Sequence, residues 1–422
     1  VIVLFGLLIF LPLSLPNSVG VADEIVSSNS SVIDPHKYFT QEQIDRGHSY
    51  RSETYILFGA KCAAFLLILV LFTFTGTSQK LEARLARISG NSHTISIILY
   101  FLSLYLILSA VLFPFSFYSS YVREKNYGFA TLTLSRWFSD YAKSFAITFV
   151  LGAVLIVGFF FIIRKFPRTW HIIGCAGFTL YIALIIFAAP VIIDPLFHKF
   201  TPLSDSNLRG ELISLAKKAG IDAREVFVTD ASARTTHTNA YFTGLSSTKR
   251  IVLYDTLLAS NSPSEVKIIL AHEIGHWKHL HVLKGILIAC VGAFVALALL
   301  RFFLLLAKRS YEEGGKLRFL RVSEIHAPST LPLILLVLFI LGVFWLPVEN
   351  AISRHFERQA DRESLLLTGD PDSFIAAEVK LAVDNASDLN PPRAAYYFLH
   401  THPTALERIA TAEDFAARQK KE

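Results

Sequence analysis

The sequence predicts a mostly α-helical, polytopic membrane protein with a small α+β portion held outside the lipid. Three observations carry this. Apolar residues make up 53% of the 422-residue chain and charged residues only 18%, whereas soluble domains carry about 25% charge. Mean hydropathy is +0.47. The apolar residues gather in six runs near the length a bilayer crossing needs, about 20 residues: 55–76, 94–118, 145–163, 170–193, 282–307 and 330–347. The last is a little short, and Arg301 interrupts the fifth near its end. Six such runs, with Lys and Arg at many of their ends, are not the buried helices of a soluble core.

Other classes fall away on composition. Aromatics at 13% and only three cysteines exclude disordered, collagen-like and disulfide-rich chains. Cys62, Cys175 and Cys290 sit inside apolar runs, form no CxxC pair and read as small core residues. The net charge of +6 fits Lys and Arg in membrane loops, so no nucleic-acid partner is expected. Methionine is absent, even at position 1.

A seventh apolar run, Val1 to Leu15, has two readings. Gly20-Val21-Ala22 resembles a small-residue cleavage site after a signal core, but a first membrane helix is the favoured reading. The polar stretch from Asn17 to Glu53 belongs in water. The chain then divides into a membrane region (1–193), a catalytic segment (194–281), two further membrane helices (282–347) and a second catalytic segment (348–422). Two crossings separate the two extramembrane segments, so both lie on one side of the membrane and can share a site.

The strongest local signal is Ala271-His272-Glu273-Ile274-Gly275-His276-Trp277. Ser262 and Glu265 make an S-x-x-E capping box with Pro263 at the first helical position, so this segment is a helix. Four residues is close to one turn, which projects His272 and His276 from one face about 6 Å apart, suiting two imidazoles on one zinc ion. Glu273, rotated by about 100°, is placed as a general base. Zinc needs a third protein ligand and an open position. The H-E-x-x-H-x-x-G-x-x-H pattern is excluded, because Val282 and His279 stand where His and Gly are required. The remaining option is a carboxylate on a downstream helix. Asn350, Arg354, Glu357 and Asp361 fall at i, i+4, i+7 and i+11, one helical face. Glu357 is read as the third ligand. Asp361, one turn on, can fix a ligand histidine through its free ring nitrogen, with Asn350 and Arg354 in the same supporting layer.

Position adds to the motif. A continuous helix from His276 to Val282 would put the ion within about 9 Å of the membrane boundary, and Glu357 lies about 15 Å along a helix from Pro347. The substrate is therefore expected to be lipid-linked, membrane-inserted or brought to the bilayer. Upstream, Val226 to Val228, Thr238 to Leu245 and Arg250 to Asp255 read as strands, the last two as a hairpin through Ser246-Ser247-Thr248-Lys249. Such a strand can hold a peptide by edge pairing. His402-Pro403 opens a helix carrying Arg408, and a protonated group there would stabilise an oxyanion. His279 and His281 read as membrane-interface residues, while His36, His48, His93, His171, His326 and His355 have no constellation around them.

These motifs together resemble the Ste24-type CAAX prenyl proteases, the integral-membrane branch of the M48 zinc peptidases. The resemblance runs from about Tyr55 to the C-terminus through five ordered blocks. They are Asp194 to Leu203, His237-Thr-Asn239-Ala240-Tyr241-Phe-Thr-Gly244, His272 to Lys278, Asn350 to Asp361, and His402-Pro403 through Arg408. It implies seven membrane helices around a chamber, one zinc ion per chain on His272, His276 and Glu357, and Glu273 as the catalytic glutamate. It also raises His402 and Arg408 as catalytic residues and His237, Asn239, Ala240 and Tyr241 as substrate-binding ones. The first apolar run would then be helix one. The activity it implies is removal of the C-terminal tripeptide from prenylated proteins by a monomer. A departure is Thr404, where that family often has a second proline, and His400 is an extra histidine.

Two rivals follow from the same residues. An HtpX-type quality-control protease shares the chemistry and differs in substrate. A transporter or channel with structural zinc predicts a closed four-ligand site. Sidedness is open: Lys and Arg are denser in the loops opposite the zinc segments (Lys80, Arg84, Arg87, Arg164, Lys165, Arg168, Lys308, Arg309, Lys316, Arg318, Arg321), which by the positive-inside rule puts the site outside the cytosol. The eukaryotic members of the family it resembles imply a cytosolic site; the membrane expected is that of the ER for a eukaryotic chain and the inner membrane for a bacterial one.

Overall fold

A computed structural model describes residues 33–90, 92–221, 225–243 and 250–421. The Val1–Leu15 run, the Gly20-Val21-Ala22 segment and the Ser246–Lys249 turn lie outside these residues. Among the described residues, six helices are long and apolar enough to cross a membrane. They are α1 (Gln41–Phe74), α3 (His93–Phe117), α5 (Leu134–Lys165), α6 (Trp170–Ala188), α10 (His281–Glu312) and α11 (Leu331–Thr368), with a basic helix α2 (Thr77–Ile88) between the first two. α3 continues through a π-turn (Tyr118–Val122) into the short α4 (Arg123–Asn126).

Several helices outrun their apolar segments. α1 begins fourteen residues before Tyr55, because Thr40 and Gln43 form a reciprocal capping box that satisfies the first free N–H groups. Its first three turns are thus polar helix outside the apolar run. α11 passes through Pro347 without a break and ends only at Gly369, left-handed at φ 66°. The last membrane span and the segment carrying Glu357 are therefore one rod.

The six spans pack in a closed cycle: α11 on α1, α1 on α3, α3 on α5, α5 on α6, α6 on α10, and α10 on α11. Their common apolar core sits towards one end. It takes Leu69 from α1, Leu104 from α3, Phe160 from α5, Trp170 from α6, Leu300 from α10 and Ile334 from α11. In α1, α5 and α10 the buried members come from the C-terminal half, and in α3, α6 and α11 from nearer the N-terminus. Both sets mark the end of the ring away from His272 and Glu357.

At the other end stands a four-stranded sheet in the order β1-β2-β4-β3, formed by β1 (Phe200–Pro202), β2 (Glu225–Thr229), β3 (Ala240–Thr243) and β4 (Arg250–Tyr254). β2 and β4 are parallel; β1 pairs antiparallel with β2, and β3 antiparallel with β4. The sheet shares a core with α7 (Ser206–Lys218), α8 (Asp255–Ser260), α9 (Pro263–Lys278) and α12 (Pro371–Asp384), where Leu212, Ile251, Leu257, Ile274 and Phe374 are fully buried. Two short helices, α13 (Arg393–Leu399) and α14 (Ala405–Gln419), close the chain. β3 is an edge strand and packs on α9.

Two backbone features set the site. α9 crosses α11 so closely that a Cβ on Gly275 would lie 2.8 Å from Ala360 Cα. The glycine inside His272-Glu-Ile-Gly-His276 is thus what lets the two helices touch. The second feature corrects the continuous helix expected from His276 to Val282. α9 stops at Lys278, Leu280 takes φ 54°, and α10 starts afresh at His281. A left-handed leucine is uncommon, and it re-aims the chain between the helix bearing the histidines and the next span.

Gly275→Ala is expected to wedge α9 from α11, cost about 1–3 kcal/mol of overpacking strain and lower metal content together with the melting temperature in detergent. A variant with unchanged metal content and melting temperature would contradict the close crossing.

Candidate active site

The site is built where α9 meets α11. His272 Nε2 and His276 Nε2 point at one another across 3.0 Å. The two oxygens of Glu357 lie 3.2 Å from His272 Nε2 and 3.4 Å from His276 Nε2. One ligand atom from each of these three buried residues falls within 4.8 Å of the others. Glu357 Oε2 is buried and accepts no hydrogen bond among the described residues, although both His272 and His402 come near it.

The far edges of the imidazoles explain why. His272 Nδ1 lies 2.8 Å from Asp361 Oδ1, and His276 Nδ1 lies 2.9 Å from His281 Nδ1. With Nδ1–H donating outward in both rings, each Nε2 presents a lone pair. Two lone pairs and a carboxylate then converge with no hydrogen between them, which is a cation site by its donor chemistry. Electrostatics agree. Burial opposes charge on His272, yet Asp361 and Glu357 beside it push its pKa up to about 10, so the pocket draws in a positive charge. The ligand atoms, their burial and their outer partners all fit a metal ion.

Glu273 follows His272 on the same helix, and burial raises its pKa, as a base working near neutral pH requires. His402 places Nε2 3.3 Å from Glu357 Oε2, and its side chain is 55% exposed, so it lines the accessible side of the donor set. Thr401 Oγ1 lies 2.8 Å from His402 Nδ1.

The remaining residues singled out in the sequence take other places. Arg408 does not reach the open side. Its guanidinium is on the Nδ1 edge of His272, donating to Asp361 Oδ2 at 2.9 Å through Nε and pairing Nη1 with Glu378 Oε2 at 2.8 Å. It neutralises Asp361 and holds the Glu378 carboxyl beside it, behind the His272 ring. Asn350 and Arg354 share the Glu357 face but touch neither ligand histidine in any hydrogen bond. Asn350 donates to Tyr397 O, and Arg354 Nη1 donates to Tyr396 O at 3.0 Å and His400 O at 2.7 Å. They tie down the carbonyls at the end of α13 and thereby the loop that delivers His402. His400 adds a second tie, its Nε2 lying 2.8 Å from Tyr55 Oη on α1.

His237 is likewise held away from an open surface. Its ring lies between Asn385 Oδ1 at 2.9 Å and Glu124 Oε2 at 3.1 Å and stacks on Phe129 at 4.3 Å. Glu124 also accepts from Tyr50 and Arg123. His237 thus pins the approach to β3 onto α1 and α4. Asn239 is exposed, its side-chain oxygen accepting from Ala240 N, and Ala240 and Tyr241 open the edge strand. His281, read from the sequence as a membrane-interface residue, is instead completely buried against His276, and Glu378 was not singled out at all. His281 and Glu378 both sit behind ligand histidines, and neither has a spacing that betrays it.

Comparison with known proteins places this geometry in context. Residues 202–416 match peptidase family M48, and residues 30–199 match the CAAX prenyl protease N-terminal family, described as five membrane helices. CAAX prenyl protease 1 of Saccharomyces cerevisiae is 35% identical over 323 residues, covering 73% of this chain and 70% of the yeast protein. An uncharacterized metalloprotease of Bacillus subtilis, YhfN, is 32% identical, covering 68% of this chain and 66% of its own. The crystal structure of S. mikatae Ste24p superposes with a TM-score of 0.78 at 26% identity, over 92% of this chain and 93% of that one. The class so defined is an integral, multi-pass membrane metallopeptidase, acting on peptide or protein substrates. Within that class, the chain belongs to peptidase family M48.

Glu378 yields a pH-dependent test. Burial and the nearby Asp361 outweigh Arg408 and push its pKa up to about 7. Between its ordinary range and that value, the folded protein holds a proton the unfolded chain has released, so this group's contribution to stability falls as pH rises. Glu378→Gln is expected to gain in melting temperature relative to the parent from about pH 5 to about pH 7. A difference that stays constant with pH would contradict the buried, protonated carboxyl.

Proposed function

We propose that the chain is a zinc endopeptidase of the membrane surface that removes the C-terminal tripeptide of prenylated CAAX proteins. The observation that supports it most is the convergence of His272, His276 and Glu357 beside Glu273, on helices that are themselves membrane-anchored. Zinc, held by those three side chains, would polarise the scissile carbonyl and acidify the water beside it. Among the described residues three side chains make up the donor set, and a zinc held there would keep a position for water, as a catalytic zinc does.

The chain's own residues supply the rest. The free edge of β3, from Ala240 with Asn239 and Tyr241 at its start, pairs with an extended substrate and sets the scissile amide beside α9. Glu273 takes the proton from the attacking water and delivers it to the departing amine nitrogen. The Thr401 hydroxyl, donating to His402 Nδ1, leaves the proton on Nε2 directed at the developing oxyanion. Arg408 and Asp361 act one layer back, holding His272 in its ligand tautomer. His237 sets the position of the pairing strand. We take the active species to be a monomer. The organelle or envelope membrane follows the source: the ER for a eukaryotic protein, the inner membrane for a bacterial one.

A second reading, a quality-control protease that accepts unprenylated membrane proteins, uses the same site and differs in substrate. Glu273→Gln is expected to keep its zinc and lose nearly all turnover, and full activity would refute the base assignment. Glu357→Ala should lower zinc stoichiometry measured by elemental analysis; an unchanged content removes Glu357 from the donor set. A panel of peptides separates the two substrates. Preferred cleavage of a farnesylated CAAX peptide supports tripeptide removal, while equal cleavage of an unfolded, unprenylated membrane protein supports quality control.

A further inference from the structure

We infer that His281 and Gln359 form a neutral hydrogen-bond chain that dictates the tautomer of His276 and so makes it a metal ligand. This rests on the donor set proposed above. On an unbroken helix His281 would lie about 140° around from His276, facing elsewhere. The left-handed Leu280 instead folds it back. The His281 ring is completely buried, flat against Phe356 with centroids 3.6 Å apart and planes at 11°, and near-parallel to the His279 ring at 5.6 Å and 18°.

Completely buried, stacked on Phe356 and hydrogen-bonded to no carboxylate among the described residues, the His281 ring is neutral, and its hydrogens then take one arrangement. His281 Nε2 lies 3.0 Å from Gln359 Oε1, a carbonyl oxygen that only accepts, so Nε2 carries the hydrogen. In a neutral imidazole the other nitrogen is then bare. His281 Nδ1 faces His276 Nδ1 at 2.9 Å, and two facing nitrogens need one hydrogen, so His276 Nδ1 supplies it. His276 Nε2 is left as a lone pair directed at His272 Nε2 and Glu357. Every step is fixed by the one before, starting from an amide on the same helix as Glu357.

The two ligand histidines are therefore backed differently. His272 leans on an anion, Asp361, itself paired with Arg408. His276 leans on a neutral ring stacked on Phe356. His281 is a positioning residue: it touches no substrate and acts through His276.

Two substitutions separate this role from packing. Asn places its Oδ1 near the position of His Nδ1 and keeps the acceptor while losing the ring. Phe keeps the ring stacked on Phe356 and loses the acceptor. Zinc affinity is read by competition with chelators of graded strength, and the ligand field by the visible spectrum of the cobalt-substituted protein. His281→Asn is expected to stay within about threefold of the parent, and His281→Phe to bind zinc about 10–100-fold more weakly with a shifted cobalt spectrum. Gln359→Leu should fall between them. The reverse order, or His281→Phe with parental affinity and spectrum, overturns the inference. If the parent itself holds no zinc on His272 and Glu357, the proposed donor set fails first, and that outcome is visible without any variant.

Discussion

The structure depends on an unfavourable meeting of lone pairs. Two imidazole nitrogens and a carboxylate oxygen are turned towards one point, and the hydrogens that would relieve them are drawn off to the opposite edges of the rings. In water such groups would separate or take up a proton. Here Asp361 and His281 hold them in place from behind, and burial keeps solvent from intervening. Only a cation relaxes the arrangement.

The rest of the fold serves to hold that meeting together. Glu357 rides on a helix that starts deep in the membrane ring and passes through Pro347 without interruption. The histidines ride on a short helix connected through a sharp backbone turn to the next span. Gly275 against Ala360 brings the two rods to backbone contact. Polar ties then join the segments around the site to the membrane helices: Tyr55 to His400, and Glu124 with Tyr50 to His237. The site is thus seated on the lipid-embedded ring and is not a separate domain tethered to it, which suits substrates that arrive along the membrane.

The parts legible in the sequence were those in which local pattern and tertiary role coincide. Apolar runs disclose spans because lipid leaves backbone groups no partner but their own helix. The parity of the spans put both ligand segments on one side, and the stripe from Asn350 to Asp361 led to Glu357. The rest was hidden for identifiable reasons. The helix break at Leu280 is a single-residue event without glycine, and it alone brings His281 to His276. Asn350 and Arg354 lie on the right stripe but spend their hydrogen bonds on the carbonyls of Tyr396, Tyr397 and His400, a pairing that no periodicity encodes. Arg408 has the charge expected of an oxyanion partner, yet two carboxylates far apart in sequence, Asp361 and Glu378, capture it first. The polar first turns of α1 were read only as a stretch belonging in water, because their helix is set by capping and not by hydropathy.

The most direct test of the central claim is an anomalous difference map of the zinc-loaded protein at the zinc absorption edge. The account predicts one strong peak per chain, about 2.0–2.2 Å from His272 Nε2, His276 Nε2 and a Glu357 oxygen, with no fourth protein ligand. A peak lying elsewhere, or one that leaves the Glu357 carboxylate outside bonding distance, would contradict it.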